Sequence, residues 1–406
     1  MAAMIELVQG GSVTSARGFK AGATYAGLKK RGEGVLDLGI VLSDKPATVA
    51  ATFTSNKVAS PSVVLSRQRA KRGTGRAVVA NSGCANCAVG PQGLKDATEM
   101  AALAARHAGV EADDVLVCST GMIGVELPMA LIRQNMGNIK VTSDGGHSFA
   151  RAIMTTDTHP KEIAVSVEVS GKKITIGGAA KGAGMIHPNM ATMLCFLTTD
   201  ANLEREFAQA ALKEAVDASF NMIDIDGDTS TNDSVILLAN GASGGTAITG
   251  GTAGAAFQEA LTYVCQALAK ELARDGEGAE RLIEVIVDGA KTKKDARLAA
   301  RSVASSLLVK AMVHGRDPNW GRIMMAVGKS GAAINESKIS IFVNGIQIVQ
   351  DGVSIPYSKD SVVSSMNGPE VSFQVSLNPD RVGESATAWG CDLTEGYVIE
   401  NSAYST

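Results

Sequence analysis

The chain has 406 residues, 45% hydrophobic and 19% charged, enough to bury a large core in two or three domains. A formal net charge of −3, a pI near 6.0 and few aromatics (two Trp, five Tyr, nine Phe) exclude a basic, base-stacking surface for nucleic acid. No run approaches the roughly 18 apolar residues of a membrane span. The start, Met-Ala-Ala-Met-Ile-Glu-Leu-Val-Gln-Gly, has no secretory signal, and six cysteines without one read as reduced thiols, so a cytoplasmic location is expected.

In chain order, β-branched runs predict strands near Val35–Leu42 and Thr48–Thr54, followed by a helix with apolar spacing of three and four over Leu94–His107. Strands are expected at Ile163–Val169 and Met193–Thr199, a helix at Leu203–Ala218, and a Gly-rich loop over Asn240–Gly254. Helices Ala255–Ala273 and Lys293–Val313 enclose a strand at Ile283–Val287. Asn344-Gly345 between Lys338–Val343 and Ile346–Val349 is a strong hairpin signal. The alternation predicts layered α/β structure without internal repeats, with a smaller α+β domain over 290–406.

Several patterns imitate known sites. Gly241-Ala-Ser243-Gly-Gly245 fits a nucleophile elbow, but Thr-Ala-Ile-Thr-Gly-Gly-Thr after it is a poor helix start. Gly321 to Ser330 ends like a phosphate loop, yet Ile323 lies where that loop needs glycine. Asp224, Asp226 and Asp228 mimic an EF-hand start, but Thr229 and Val235 replace its Gly and Glu, so the run reads as a rigid turn near the site. Cys84-Ala-Asn-Cys87 has no second pair for zinc, and the five histidines are dispersed, so no metal is expected. Each histidine reads first as a surface or packed residue, with His187, five residues before Thr192, the candidate to border a pocket.

Lys181-Gly-Ala-Gly-Met-Ile-His-Pro-Asn-Met-Ala-Thr192 is a glycine-rich turn running into the apolar Met193-Leu-Cys-Phe196. A threonine freed as an N-terminus has its own α-amine, pKa about 7.7–8.0, as the neighbouring base. Its Oγ would attack the Ala191 carbonyl and cut the chain between Ala191 and Thr192. From spacing alone Thr192 reads as a β-branched residue at a strand start.

The segment from Lys181 to Asp200 resembles the ornithine acetyltransferase family, which moves acetyl from N-acetylornithine to glutamate in arginine biosynthesis. Further stretches resemble it in order: Gly18-Phe-Lys-Ala-Gly22, Cys118-Ser-Thr-Gly-Met-Ile-Gly124, Thr155-Thr-Asp-Thr-His-Pro-Lys161, Asp226-Gly-Asp-Thr-Ser-Thr-Asn-Asp233, Asp275-Gly-Glu-Gly-Ala279, His314-Gly-Arg-Asp-Pro-Asn-Trp-Gly-Arg322 and Glu400-Asn-Ser-Ala-Tyr-Ser-Thr406. The Cys84/Cys87 pair departs from the family's usual Asn-Ala-Asn-Ala-Cys.

The resemblance implies a layered α/β sandwich of the self-processing N-terminal nucleophile type. It divides the precursor into an α chain (1–191) and a β chain (192–406), assembled as a heterotetramer or larger. Thr192 is the implied nucleophile, with the Thr120 hydroxyl and Gly121 N–H as the oxyanion hole. Thr155, Lys181, Thr192, Glu277, Asn401 and Thr406 are the implied substrate contacts, Lys181 facing a carboxylate and Glu277 the ornithine side chain. Glu277 also reads as a solvated acid in a Gly-rich turn. Ping-pong transfer with no cofactor is expected. Some members also take acetyl from acetyl-CoA, for which no signature is evident. Two alternatives stand: a self-processing amidase or aminopeptidase of similar fold, and an unprocessed binding protein.

Overall fold

The computed structural model describes residues 4–187, 193–380 and 382–402. They divide into two compact units, one of Met1–Gly182, Asn189–Asp217 and Thr229–Leu268, the other of Ala183–Pro188, Ala218–Asp228 and Ala269–Thr406. Each carries a sheet with helices against it, the mixed α/β class expected.

The early strands are β1 (Ile5–Leu7), β2 (Phe19–Thr24), β3 (Leu38–Phe53), β4 (Thr74–Cys84), β5 (Val115–Met122), β6 (Lys161–Val169), β7 (Lys172–Lys181) and β8 (Leu194–Thr199). After them come β9 (Ile223–Asp224), which joins the second unit's sheet, and β10 (Ser234–Ala239). Among the described residues the first unit's sheet has nine strands in the order β1-β6-β7-β8-β10-β3-β4-β5, with β2 also on β3. The pairs β4/β5 and β8/β10 are parallel, the others antiparallel.

Period-two alternation sends Val78 and Ala80 of β4 to one face and Ala77 and Val79 to the other. Among the described residues, the helices that begin and end in this unit are α1 (Pro61–Ala70), α2 (Gln92–Ala108), α3 (Met129–Asn135), α4 (Gly146–Ile153) and α5 (Arg205–Asp217). Phe149, Ala150 and Ile153 of α4 cover the first face; Met100, Ala101 and Ala104 of α2, with Ile132 of α3, cover the second. The two strand runs expected before residue 54 form the single β3, whose register with β4 shifts between Leu42 and Ala47. Pro46 lies in that interval and cannot donate to a ladder.

Helix α6 (Gly251–Arg274) takes its first turn from the end of the expected loop. Helix α1 escapes apolar periodicity because polar Ser62, Ser66 and Arg69 lie on its buried face. Ser66 Oγ donates to the Val117 carbonyl (2.6 Å) and Arg69 to that of Val115 (2.6 Å), fastening α1 along β5.

In the second unit α7 (Lys293–Ala304), α8 (Leu307–His314) and α9 (Trp320–Gly328) follow β11 (Leu282–Ala290). Beyond them are β12 (Ser340–Val343), β13 (Ile346–Gln350), β14 (Val353–Ser354), α10 (Lys359–Ser365), β15 (Glu370–Ser376), β16 (Glu384–Cys391) and α11 (Glu395–Ser402). Sheet order is β14-β13-β12-β15-β11-β16-β9. Asn344 and Gly345 turn β12 into β13 with φ of +46° and +82°, as a two-residue hairpin requires. The single helix expected over Lys293–Val313 is broken at Ser305 and Ser306, after which Lys310 points inward to Asp224 (3.3 Å). Residue 290, where the smaller domain is expected to begin, is the last of β11, which lies wholly in the second unit's Ala269–Thr406 stretch. No described helix is long and apolar enough to cross a membrane.

Candidate active site

Parallel β4 and β5 end together, with Gly83 opposite Gly121. A Cβ on Gly121, at φ +126°, would lie 2.3 Å from the Gly83 carbonyl carbon, so only glycine fits. Thr120 before it is buried. Asn232 braces this turn, its amide donating to the carbonyls of Ser119 (2.8 Å) and Ala85 (2.7 Å). Ser62 of α1 meets the Ser119 hydroxyl at 2.8 Å. Asn232 was missed as an individual residue; its signal was the crowded Asp226–Asp233 run, read only as a rigid turn.

Lys181 ends β7 almost fully buried, at 3% exposure. Its ammonium donates to the hydroxyls of Thr155 (2.6 Å) and Thr120 (3.3 Å) and lies 3.9 Å from Asp157. Asp157 also bonds the Lys161 ammonium (2.6 Å) and the N–H groups of Gly182 (2.7 Å) and Thr155 (2.9 Å). Burial pushes the Asp157 carboxyl up, but Lys181 and Lys161, with the Gly182 N–H, outweigh it and hold the group below the usual carboxylate range. Three residues far apart in sequence, Thr120, Thr155 and Lys181, thus meet around one ammonium. The Thr120 hydroxyl, accepting from Lys181, keeps its own proton for a further acceptor.

Thr192 and Ala191 lie outside the described residues. The chain is described again from Met193, whose N–H donates to Asp233 Oδ1 at 3.0 Å, and Leu194 pairs with Lys181 across β7 and β8. Asp233 is fully buried, which pushes its carboxyl well up despite bonds from Met193 and Ser230 and the nearby Lys181. The four-residue span from Ser230 to Asp233 therefore holds both the Thr120 strand and the residue after Thr192.

In the second unit, the Glu277 N–H donates to the Ala183 carbonyl (2.7 Å), and Asn401 of α11 donates to Glu277 Oε2 (2.8 Å). Tyr397, one turn earlier, meets Asp226 at 3.3 Å; burial and that carboxylate push its phenol up. Burial, Glu277 and Asp275 likewise raise the Glu400 carboxyl. Thr406 lies outside the described residues.

Two carboxylates of the calcium look-alike, those of Asp224 and Asp226, are engaged by protein. Asp224 holds His187 (2.8 Å) and Lys310, and Asp226 accepts the N–H groups of Met185 and Ile186. Cys84 and Cys87 are free thiols directed at different carbonyls, of Val125 (3.1 Å) and Val58 (3.5 Å). Glu280, His314 and Asp392 bring possible ligand atoms within 4.8 Å of one another. Asp392, however, already accepts the N–H groups of Glu280 and Arg281 and faces the Arg281 guanidinium.

Over residues 20–406 the chain matches the ArgJ family. It is 48% identical over 408 residues to the arginine biosynthesis bifunctional protein ArgJ of Dehalococcoides mccartyi (strain CBDB1), covering 100% of both. The protein of that name from Symbiobacterium thermophilum is 47% identical over 400 residues, 98% of this chain and 99% of its own. Among solved structures, the argJ protein of Bacillus halodurans is 39% identical, with a TM-score of 0.49 over 52% of this chain and 98% of its own. With family and full-length relatives spanning nearly all of it, the chain belongs to the ArgJ family and is an acetyltransferase of arginine biosynthesis.

Proposed function

We propose that this chain transfers the acetyl group of N-acetylornithine to glutamate through an acetyl ester on Thr192, freed by self-cleavage after Ala191. The reading is carried by the meeting of Lys181, Thr155 and Thr120 beside the Gly121 turn, at the strand end where β7 pairs with Leu194. Those groups suit chemistry on an acyl carbonyl next to a carboxylate.

Thr192 Oγ attacks the acetyl carbonyl as its own α-amine takes the hydroxyl proton. Charge builds on the carbonyl oxygen, where the Thr120 hydroxyl and Gly121 N–H donate. The C–N bond breaks, the proton passes to the leaving amine, and ornithine departs. The neutral α-amine of glutamate then attacks the ester, the C–O bond breaks, and Thr192 Oγ regains a proton. Lys181 holds the α-carboxylate common to both amino acids, and Thr155 steadies Lys181. Glu277, supported by Asn401, faces the ornithine ammonium. Thr406 completes the substrate contacts, and no cofactor takes part.

The α chain (1–191) and β chain (192–406) stay together as a heterotetramer or larger, in the cytoplasm. A second donor for glutamate, acetyl-CoA, is part of the same proposal and is compatible with relatives that are bifunctional ArgJ proteins.

Denaturing intact-mass analysis of wild type beside Thr192→Ala tests the reading. Two fragments meeting at Ala191 and Thr192 in wild type alone are expected, with acetyl transfer to glutamate exceeding hydrolysis. A single intact chain in both proteins, or hydrolysis without transfer, would sink it.

A further inference from the structure

Lys29 approaches the same strand ends from the first unit's β2–β3 loop and has no role so far. The buried Asp37 carboxylate accepts the N–H groups of Ala26 (2.6 Å), Gly27 (3.1 Å), Leu28 (2.7 Å) and Lys29 (3.2 Å). The Tyr25 hydroxyl donates to the Lys29 carbonyl at 3.0 Å. The backbone under Lys29 is therefore pre-organised rather than loose. Its stem crosses Gly83, where a Cβ would lie 3.0 Å from Lys29 Cγ, and Gly83 is the register partner of Gly121.

The Lys29 ammonium donates to the Met154 carbonyl at 2.9 Å, and the next residue, Thr155, accepts from Lys181. Lys29 is half-buried and makes no ion pair among the described residues. Of the carboxylates acting on it, Asp37 is occupied by the four N–H groups and Asp157 by Lys161 and the Gly182 N–H. A half-buried cation without a carboxylate of its own is costly to the fold. An anionic ligand offsets that cost.

We propose that Lys29 is the specificity residue for the acceptor, binding the side-chain carboxylate of glutamate while Lys181 takes its α-carboxylate. This rests on the acetyl-transfer reading above. N-acetylornithine carries one carboxylate and glutamate two, so the second cation serves only the second half-reaction. Met154 O holds the ammonium by one hydrogen and leaves two for the ligand.

The test uses the full self-processed protein as Lys29→Met and Lys29→Arg. Release of ornithine from N-acetylornithine without acceptor reads the first half-reaction; transfer to glutamate against glutamine, its uncharged isostere, reads the second. In Lys29→Met the ornithine burst should stay within about twofold of wild type, while the preference for glutamate over glutamine in kcat/KM falls by about tenfold or more, partly restored in Lys29→Arg. Equal loss in both half-reactions, or an unchanged glutamate preference, would overturn the assignment.

If Lys29→Met does not fold, the wild-type ratio is followed from about pH 6 to about pH 9, with each acceptor's own α-amine titration measured and divided out. Burial lowers the Lys29 pKa to about 8, with Lys181 lowering and Asp37 and Asp157 raising it, so the preference should fall above that pH. A flat ratio overturns the proposal. Wild type that releases no ornithine, or acetylates no glutamate, would instead remove the underlying function.

Discussion

A methyl group added at Gly121 has nowhere to go, since the Gly83 carbonyl carbon lies 2.3 Å from its ideal position and φ is +126°. Gly121→Ala should therefore destabilise the protein by about 1–3 kcal/mol and abolish acetyl transfer, as measured by urea unfolding and a transfer assay. Asp157 offers a second test, in pH. Its folded pKa lies below the ordinary 3.8, so its stabilisation is complete above that value and lost as pH falls towards the folded pKa. Asp157→Asn should cost on the order of 3–5 kcal/mol near pH 7, because two buried ammonium groups lose their partner, and the gap from wild type should narrow below about pH 4. A gap that stays constant in acid would show that the charge of Asp157 is not what supports Lys161 and Lys181.

At the level of elements, α11 matters more than its exposed apolar residues suggest. Val398 and Ile399 are 64% and 68% exposed, while Tyr397 and Asn401 bind Asp226 and Glu277. Deleting Asn401 to Thr406 should lower kcat/KM for N-acetylornithine by about a hundredfold and leave self-cleavage intact; unchanged turnover would take those residues out of the site. Helices α2, α5 and α6 were legible because each buries apolar residues at three and four spacing. Helix α1 was not, since its inner face bonds β5 through hydroxyls and a guanidinium, leaving no apolar stripe to read.

At the scale of the molecule, strands from before residue 188 and after residue 192 are woven into one sheet. β7, earlier in the chain than the proposed cleavage site, pairs with β8 beyond it, and β10 runs between β8 and the early β3. If the chain is cut after Ala191 as proposed, two fragments joined by such ladders cannot part without breaking the core. The cleaved protein should elute as one species in native size-exclusion chromatography and separate only in denaturant, whereas free fragments in native buffer would contradict this strand order.

By itself the sequence determined the α/β class, the Asn344-Gly345 hairpin, most long helices and the motifs that mark the family, because local periodicity and turn chemistry act between near neighbours. Only the tertiary structure decided that Thr120, Thr155 and Lys181 meet at one ammonium, that Asn232 and Asp233 hold Ser119 and Met193, and that Lys29 lies over Gly83. Those contacts join residues from 26 to 113 positions apart. Which strands lie side by side, and which buried charges find partners there, is settled by packing the whole chain at once, and no local pattern records it.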